Sequence, residues 1–433
     1  MRPNKYSYIV ELDPDRCVLF NGLNHSFLLV PKRTIASYEA ILSNPQAYTC
    51  SHPKIIADLV EVGLLVKDDC DEFELLRTQR SEYVESKVYK TSIIPTFDCN
   101  YSCWYCKQNH QPIEDSEVRT DLILKHVKKY LIEHEISEYV LSWFGGEPLM
   151  QPRIIDAISS ELLSFCKSHG VKFSGGITTN GALLTDEMSA MLIRNEINFF
   201  QIAIDGDRKA HNKNKYSDLH PSSFDLVLNN IARLVERFGS ADVTLRLNYT
   251  PAMLQSGDLV NQICGQIPKE IRSRITVDMQ KIWQINELNY DIDLMNKMQA
   301  QFVEAGFKLS TEHVFSMCYV DKRHFNTIYY NGGVEKCDDR DMANLRGFIN
   351  EDGDIVWKEV PIFTQVDVLG GKSQCRDCRY YPLCYSGCPI ARVSRISETG
   401  ELFCGFAGDY SKLEHRIRDY CFRTLNNLKL KSC

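Results

Sequence analysis

Between residues 89 and 310, apolar runs of strand length alternate with stretches whose apolar positions return every three or four residues. The runs are "TSIIPTF", "YVLSWFG", "VKFSGGITT", "FFQIAID", "VTLRLNYT" and "ITVDMQKIW". Between them lie "LILKHVKKYLIEH", "IIDAISSELLSFCKS", "DEMSAMLIRN", "FDLVLNNIARLVERF" and "DLVNQICGQI". Alternation at this spacing predicts βα units on a parallel sheet, and six such units make a partial, TIM-like (β/α)6 barrel. Upstream, "YSYIVEL", "CVLFNG" and "SFLLVP" read as short strands, followed by the helical patterns "TIASYEAILS" and "HPKIIADLVEVG". The charged stretch "KDDCDEFELLRTQRSEYVESK" reads as a link to the barrel. Past residue 311 the period dissolves into cysteines, glycines and turns, as expected where metal clusters replace a hydrophobic core. The α/β chain thus divides into regions 1–88, 89–310 and 311–433, with no internal repeat.

Composition narrows the classes. The 433 residues suffice for two or three domains, and 44% apolar with 25% charged residues describes a globular protein with ample core. A net charge of −7 and a pI near 5.9 argue against nucleic acid or an anionic membrane as partner. The N-terminal "MRPNKYSYIVELDPD" lacks the apolar core of a signal peptide, and no run is long enough to span a bilayer. The expected location is the cytoplasm.

A reducing compartment gives the 17 cysteines a different meaning from a disulfide framework. Cys99, Cys103 and Cys106 fall within eight residues, and seven more lie between 318 and 404. Cys17, Cys50, Cys70, Cys166, Cys264, Cys421 and Cys433 lie outside these groups, and most read as small buried hydrophobes. The clustered ten point to metal. A closed structural site takes four ligands, so the first group is either an open site or part of a zinc site with a remote ligand.

In parallel βα folds the working residues sit at the carboxyl ends of strands. The three cysteines follow the first strand, "GGEP" (Gly145–Pro148) the second, "TTNG" (Thr178–Gly181) the third and "IDG" (Ile204–Gly206) the fourth, while "RLN" (Arg246–Asn248) lies in the fifth. CxxxCxxC with Tyr105 before its last cysteine, and GGEP one strand later, resembles the radical S-adenosylmethionine superfamily. The resemblance implies that Cys99, Cys103 and Cys106 bind three irons of a 4Fe-4S cluster whose fourth iron is chelated by S-adenosylmethionine. Reductive cleavage of that cofactor then gives a 5′-deoxyadenosyl radical, which abstracts unactivated hydrogens. By the same resemblance Gly145, Gly146 and Glu147 hold the methionyl ammonium, and Tyr105, Thr179, Asn180, Asp205, Lys215, Arg246 and Asn248 line the cofactor site. Two positions depart from the pattern: Ala203 stands where relatives carry serine, and Lys215 where they carry arginine. A lysine supplies the charge without the bidentate fork.

The later cysteines run Cys318, then Gly332 and Cys337, then Cys375-x2-Cys378-x5-Cys384-x3-Cys388, and finally Cys404. This spacing resembles the SPASM domain of radical enzymes that modify peptides and proteins. It implies two auxiliary 4Fe-4S clusters, one held by Cys375, Cys378, Cys384 and Cys404, the other by Cys318, Cys337 and Cys388. Some relatives supply a fourth ligand where His324 stands in "DKRHFNT". The expected arrangement is an open iron site, ahead of a loop role for His324 and of ligation through its ring.

The N-terminal region resembles the winged-helix-like fold that grips leader peptides in ribosomal peptide maturases; the alternative is a structural cap. The implied function is maturation of a ribosomally made precursor peptide with a leader, by hydrogen abstraction and formation of a thioether or carbon–carbon cross-link, with a flavodoxin or ferredoxin as electron donor. One alternative is a sulfatase-maturating type that makes formylglycine, in which Asp338 occupies the place of a proposed proton acceptor. Another is a degenerate peptide-binding chaperone.

Overall fold

The computed structural model describes all residues except 109, 111, 218–220, 256, 283, 286–291, 313, 339–344, 359–366, 371–372, 407 and 432–433, and the side chains of 292, 293 and 431. The chain forms two compact units, one of residues 1–86, 311–323 and 362–425, the other of 87–310, 324–361 and 426–433. Set beside the expected regions, the chain crosses between units at 86/87 and 310/311, and again at 323/324, 361/362 and 425/426.

In the first unit β1 (Ser7–Glu11), β2 (Arg16–Asn21) and β3 (Phe27–Pro31) form an antiparallel sheet in that order. Alternation sends Tyr8, Val10, Val18 and Phe20 into one core and Cys17, Leu19 and Val30 into another. The second core is closed by α1 (Ile35–Ser43) and α2 (Pro53–Glu61) through Ile41, Leu42, Ile56 and Leu59. The first is closed by Leu413, Ile417 and Cys421 of the C-terminal helix Ser411–Lys431. That helix was not expected from sequence, nor was α3 (Glu72–Val84), which occupies the stretch read as a charged link. Asp71 caps α3 by accepting from Glu74 N at 3.0 Å, and Glu72 and Glu74 suit the positive end of its dipole. Only Glu72 and Leu76 of α3 are buried, so the sequence shows no apolar stripe there.

In the second unit the expected strands run parallel as β4 (Val88–Ile94), β5 (Glu138–Trp143), β6 (Lys172–Thr179), β7 (Ile197–Asp205), β8 (Asp242–Tyr249) and β9 (Ile275–Lys281), all within a few residues of expectation. The helices between them pack through the faces their periodicity marks. In Pro152–Ser168, Ile155, Ile158, Ser159, Leu162, Leu163 and Cys166 are buried, the spacing of one helical face. Lys308–Leu309 (β10) pairs parallel to β9, and β4 and β9 do not pair, so the barrel stays open. On its other side β4 pairs parallel with β11 (Phe325–Tyr329), followed by antiparallel β12 (Gly333–Glu335), β13 (Gly347–Ile349) and β14 (Ile355–Trp357). These four strands fall in the region where turns alone were expected. At three to five residues each, they are too short for a period to register. Among the described residues no helix is long and apolar enough to cross a membrane.

Candidate active site

The loop carrying Cys99, Cys103 and Cys106 begins at the carboxyl end of β4 and is gripped by the end of β5. Gly146 N donates to Thr96 O at 3.0 Å, and Glu147 N to Asp98 O at 2.8 Å. A Cβ on Gly146 would stand 2.1 Å from the Asp98 carbonyl oxygen and 2.5 Å from that of Phe97. Gly145 adopts φ +128°. The glycine pair is what lets one backbone lie against the other.

Glu147 follows them, fully buried. Its Oε1 accepts from Leu149 N at 3.0 Å and Thr179 Oγ1 at 2.8 Å, and its Oε2 from Asn180 N at 2.7 Å. Burial pushes this carboxyl up, and those bonds, with the Lys215 charge, act the other way. The carboxylate therefore ties the ends of β5 and β6 together. Asn180 then reaches the cysteine loop, its Nδ2 donating to Asn100 Oδ1 at 2.7 Å and lying 3.7 Å from Cys99 Sγ.

A two-residue ladder sets Lys215 opposite Cys103. Lys215 is 4% exposed, and among the described residues it forms no salt bridge. Burial pushes the Cys99 thiol up to about 12 and Cys103 up to about 11, and the Lys215 ammonium pulls both back. Without metal these are thiols at neutral pH, so binding iron releases their protons.

On the next strands, alternation in β8 buries Val243, Leu245, Leu247 and Tyr249 and turns Arg246 and Asn248 to the other face. Asn248 pairs in register with Asp205 of β7 and donates to its Oδ1 at 3.1 Å. Tyr105 OH donates to Asp205 Oδ2 at 2.6 Å, and Arg246 Nε to Asn248 Oδ1 at 3.1 Å. Burial, then the Asp205 charge, raises the Tyr105 hydroxyl above its ordinary range, so it stays a donor. This network positions the turn between Cys103 and Cys106. Ala203 leaves Arg246, its register partner, without a hydroxyl neighbour at that place.

Three participants were not singled out from sequence. Gln284 Nε2 donates to the Tyr105 carbonyl, Asn100 receives Asn180, and His211 Nδ1 accepts from Asp205 N at 3.1 Å. Gln284 lies just past the carboxyl end of β9, the position that strand-end logic marks. Among the described residues, Asn100 Nδ2, Asn214 Nδ2 and Gln284 Oε1 are buried with no hydrogen-bond partner. Among the described residues around the cysteines, one ammonium and three amide groups thus stand without partners, and buried polar groups of this kind ordinarily have one.

In the first unit Cys375, Cys378, Cys384 and Cys404 lie together. Cys384, pushed up to about 12 by burial, also feels Cys375, Cys378 and Cys404. Cys318, raised to about 11 mainly by burial, feels Cys388. Cys337 belongs to the second unit, after β12, with the half-buried Asp338 beside it. Among the described residues no three His, Cys, Asp or Glu donors converge on one ion. Thiolates that bind different irons of one cube stand further apart than the ligands of a single metal ion.

His324 is 3% exposed, and its Nδ1 pairs with Tyr130 OH at 2.9 Å in the second unit. His324 stands in a bend just before β11, as the polar setting of "DKRHFNT" suggested, but its ring is buried in an aromatic cluster with Tyr130 and His134.

The sequence profile of the Radical SAM superfamily matches residues 93–251. The serine-type anaerobic sulfatase-maturating enzyme of Bacteroides thetaiotaomicron is 29% identical over 146 residues, 33% of this chain and 34% of that one. The tungsten-containing aldehyde ferredoxin oxidoreductase cofactor-modifying protein of Pyrococcus furiosus is 36% identical over 95 residues, 22% and 24% of the two chains. The matched segments thus span about a third or less of these curated relatives. Among solved structures, native anSMEcpe with bound AdoMet and Cp18Cys peptide superposes with a TM-score of 0.52 at 16% identity, covering 79% of this chain and 98% of that one. Streptococcus suis SuiB bound to S-adenosylmethionine gives 0.50 at 13% identity, covering 94% and 99%. At those identities the likeness is one of fold.

Proposed function

We propose that this chain, whose residues 93–251 match the Radical SAM superfamily profile, is an enzyme that works with S-adenosylmethionine and a 4Fe-4S cluster and matures a ribosomally made peptide. When bound, cluster and cofactor supply a 5′-deoxyadenosyl radical that takes a hydrogen atom from an unactivated carbon. The chain's residues fit them. Cys99, Cys103 and Cys106 hold the iron, the glycine-exposed backbone at Gly145 and Gly146 takes the ammonium, and the unpaired Lys215 takes the carboxylate. Glu147, Thr179 and Asn180 keep the strand ends in place, while Tyr105, Asp205, Arg246 and Asn248 fix the cysteine turn.

The observation that carries the peptide reading is the gathering of Cys375, Cys378, Cys384 and Cys404 in one unit. Their spacing resembles the auxiliary-cluster domain of enzymes that modify peptides and proteins. The first unit also contains the β1–β3 sheet, to which we assign leader recognition by strand addition. A second reading, formylglycine formation with Asp338 as proton acceptor, is favoured by the likeness to the Bacteroides enzyme.

The test is anaerobic incubation of reconstituted enzyme, S-adenosylmethionine and a reductant with the short peptides encoded beside its gene. Cross-linking removes two hydrogens and joins two residues, so tandem mass spectrometry finds no fragments between them. An aldehyde that reacts with hydrazide establishes the second reading instead. No change in any peptide rejects both.

Lys215→Met is expected to weaken S-adenosylmethionine binding by roughly tenfold or more, since a charged hydrogen bond contributes about 1.5–3 kcal/mol. Turnover at saturating cofactor should change far less. Equilibrium titration of the reconstituted variant checks this, and equal affinity would remove Lys215 from the site.

A further inference from the structure

A buried ion pair in the first unit joins two turns that each begin at a clustered cysteine. Cys318 opens the turn Tyr319–Asp321, with Asp321 N donating to Cys318 O at 3.0 Å. Cys388 caps the helix Pro389–Val393, with Arg392 N donating to Cys388 O at 3.2 Å. The side chains at the far ends of these turns meet. Arg392 Nη1 and Nη2 donate to Asp321 Oδ1 and Oδ2, the second bond at 2.7 Å, with the side chains 1% and 2% exposed.

The same guanidinium holds a third segment. Between Cys384 and Cys388 the chain passes through Tyr385, Ser386 and Gly387 at φ +47°, +63° and +71°. The first two are left-handed residues that carry side chains and need outside support. Arg392 gives it: Nε donates to Ser386 Oγ at 2.7 Å, and Nη2 to Tyr385 O at 3.2 Å. Five fixed donors in a plane serve two carboxylate oxygens, a hydroxyl and the carbonyls of Tyr385 and Gly387, a pattern that only arginine satisfies.

From outside, α3 fastens the Cys318 turn. Tyr83 OH donates to Met317 O at 2.8 Å, and Arg80 Nη1 lies 3.7 Å from Asp321 Oδ2. One aspartate thus faces two arginines, leaving net positive charge beside Cys318 and Cys388.

We propose that Arg392, clamped on Asp321, is a positioning residue that sets the spacing of Cys318, Cys384 and Cys388 for auxiliary iron–sulfur binding. This rests on the auxiliary-cluster reading above. A purely packing role would be met by any pair of side chains that fills the space; a positioning role needs the fork.

The experiment compares wild type, Arg392→Lys and the double variant Asp321→Leu/Arg392→Met after anaerobic reconstitution. Iron per chain, the electron paramagnetic resonance spectrum and the melting temperature before and after reconstitution are read for each. The double variant removes the two deeply buried charges together, and the cation that loses its partner, Arg80, lies 3.7 Å from the carboxylate with a side chain 15% exposed. If wild type binds no more iron than Cys99, Cys103 and Cys106 account for, the auxiliary-cluster reading itself fails.

Given auxiliary iron in wild type, the expected result is loss of at least half of it in both variants. The double variant should keep the apo melting temperature, and the S-adenosylmethionine-dependent change in the remaining cluster's spectrum should persist. Full iron with unchanged spectra in Arg392→Lys, or restored iron in the stable double variant, overturns the proposal. Arg80→Gln adds a separate check. Removing its positive charge should lower the auxiliary reduction potential while the iron stays, and an unchanged potential would detach Arg80 from the device.

Discussion

Replacing Cys99, Cys103 and Cys106 together by alanine is expected to abolish release of 5′-deoxyadenosine from S-adenosylmethionine. The loss should exceed about a thousandfold, or ~4 kcal/mol in the barrier, because the variant removes all three thiolates assigned to the iron. The auxiliary iron should remain, since Cys375, Cys378, Cys384 and Cys404 lie in the other unit. Chromatographic assay of 5′-deoxyadenosine with parallel iron counting separates the two outcomes. Undiminished cleavage by the triple variant would refute the assignment of the cluster to these cysteines. Loss of all iron would show instead that the units do not load independently.

Gly146→Ala should be nearly as damaging, although it adds one methyl group and removes no ligand. The new Cβ would meet two carbonyl oxygens, at 2.1 and 2.5 Å. Both belong to the backbone, so no side chain can swing aside. Either the β5 end or the start of the cysteine loop must move, breaking the bonds from Gly146 N to Thr96 O and from Glu147 N to Asp98 O. Overpacking of this kind costs about 1–3 kcal/mol, and each lost hydrogen bond about 1 kcal/mol more. The expected result is a cofactor-cleavage rate down by roughly a hundredfold or more, from poor loading of the radical cluster. Gly239→Ala is the control, because a Cβ there meets nothing within 4 Å. Its stability and activity should match wild type. A fully active Gly146→Ala would mean that the close approach does not hold the loop.

The elements that position this site were legible in the sequence because their determinants are local. Each barrel strand is a run of apolar or alternating residues, each helix a 3.6-residue period, and the motifs fall where one gives way to the other. The order of CxxxCxxC, GGEP, TTNG and IDG along successive strand ends is a one-dimensional fact, and the rim follows from it. Less legible were the contacts that make the motifs rigid. That Glu147 would bridge to Thr179 and Asn180, rather than face open space, depends on how closely β5 and β6 end. Gln284 carried no motif, and its role comes from the place where β9 delivers it.

What the sequence by itself determined is therefore the parallel α/β architecture of residues 89–310, the grouping of the cysteines and the chemistry they imply. Only the tertiary structure decided which distant segments share a core. The apolar face of β1 and β2, with Tyr8, Val10, Val18 and Phe20, meets Leu413, Ile417 and Cys421 from the other end of the chain. Likewise Asp321 finds Arg392, and the strands from Phe325 to Trp357 extend the barrel sheet beside β4. A pattern of apolar positions records that a face will be buried, since burial is a property of each residue. It does not record the partner, because many faces are equally apolar. The choice among them is made by shape, register and the pairing of buried charges, all of which exist only once the chain is folded.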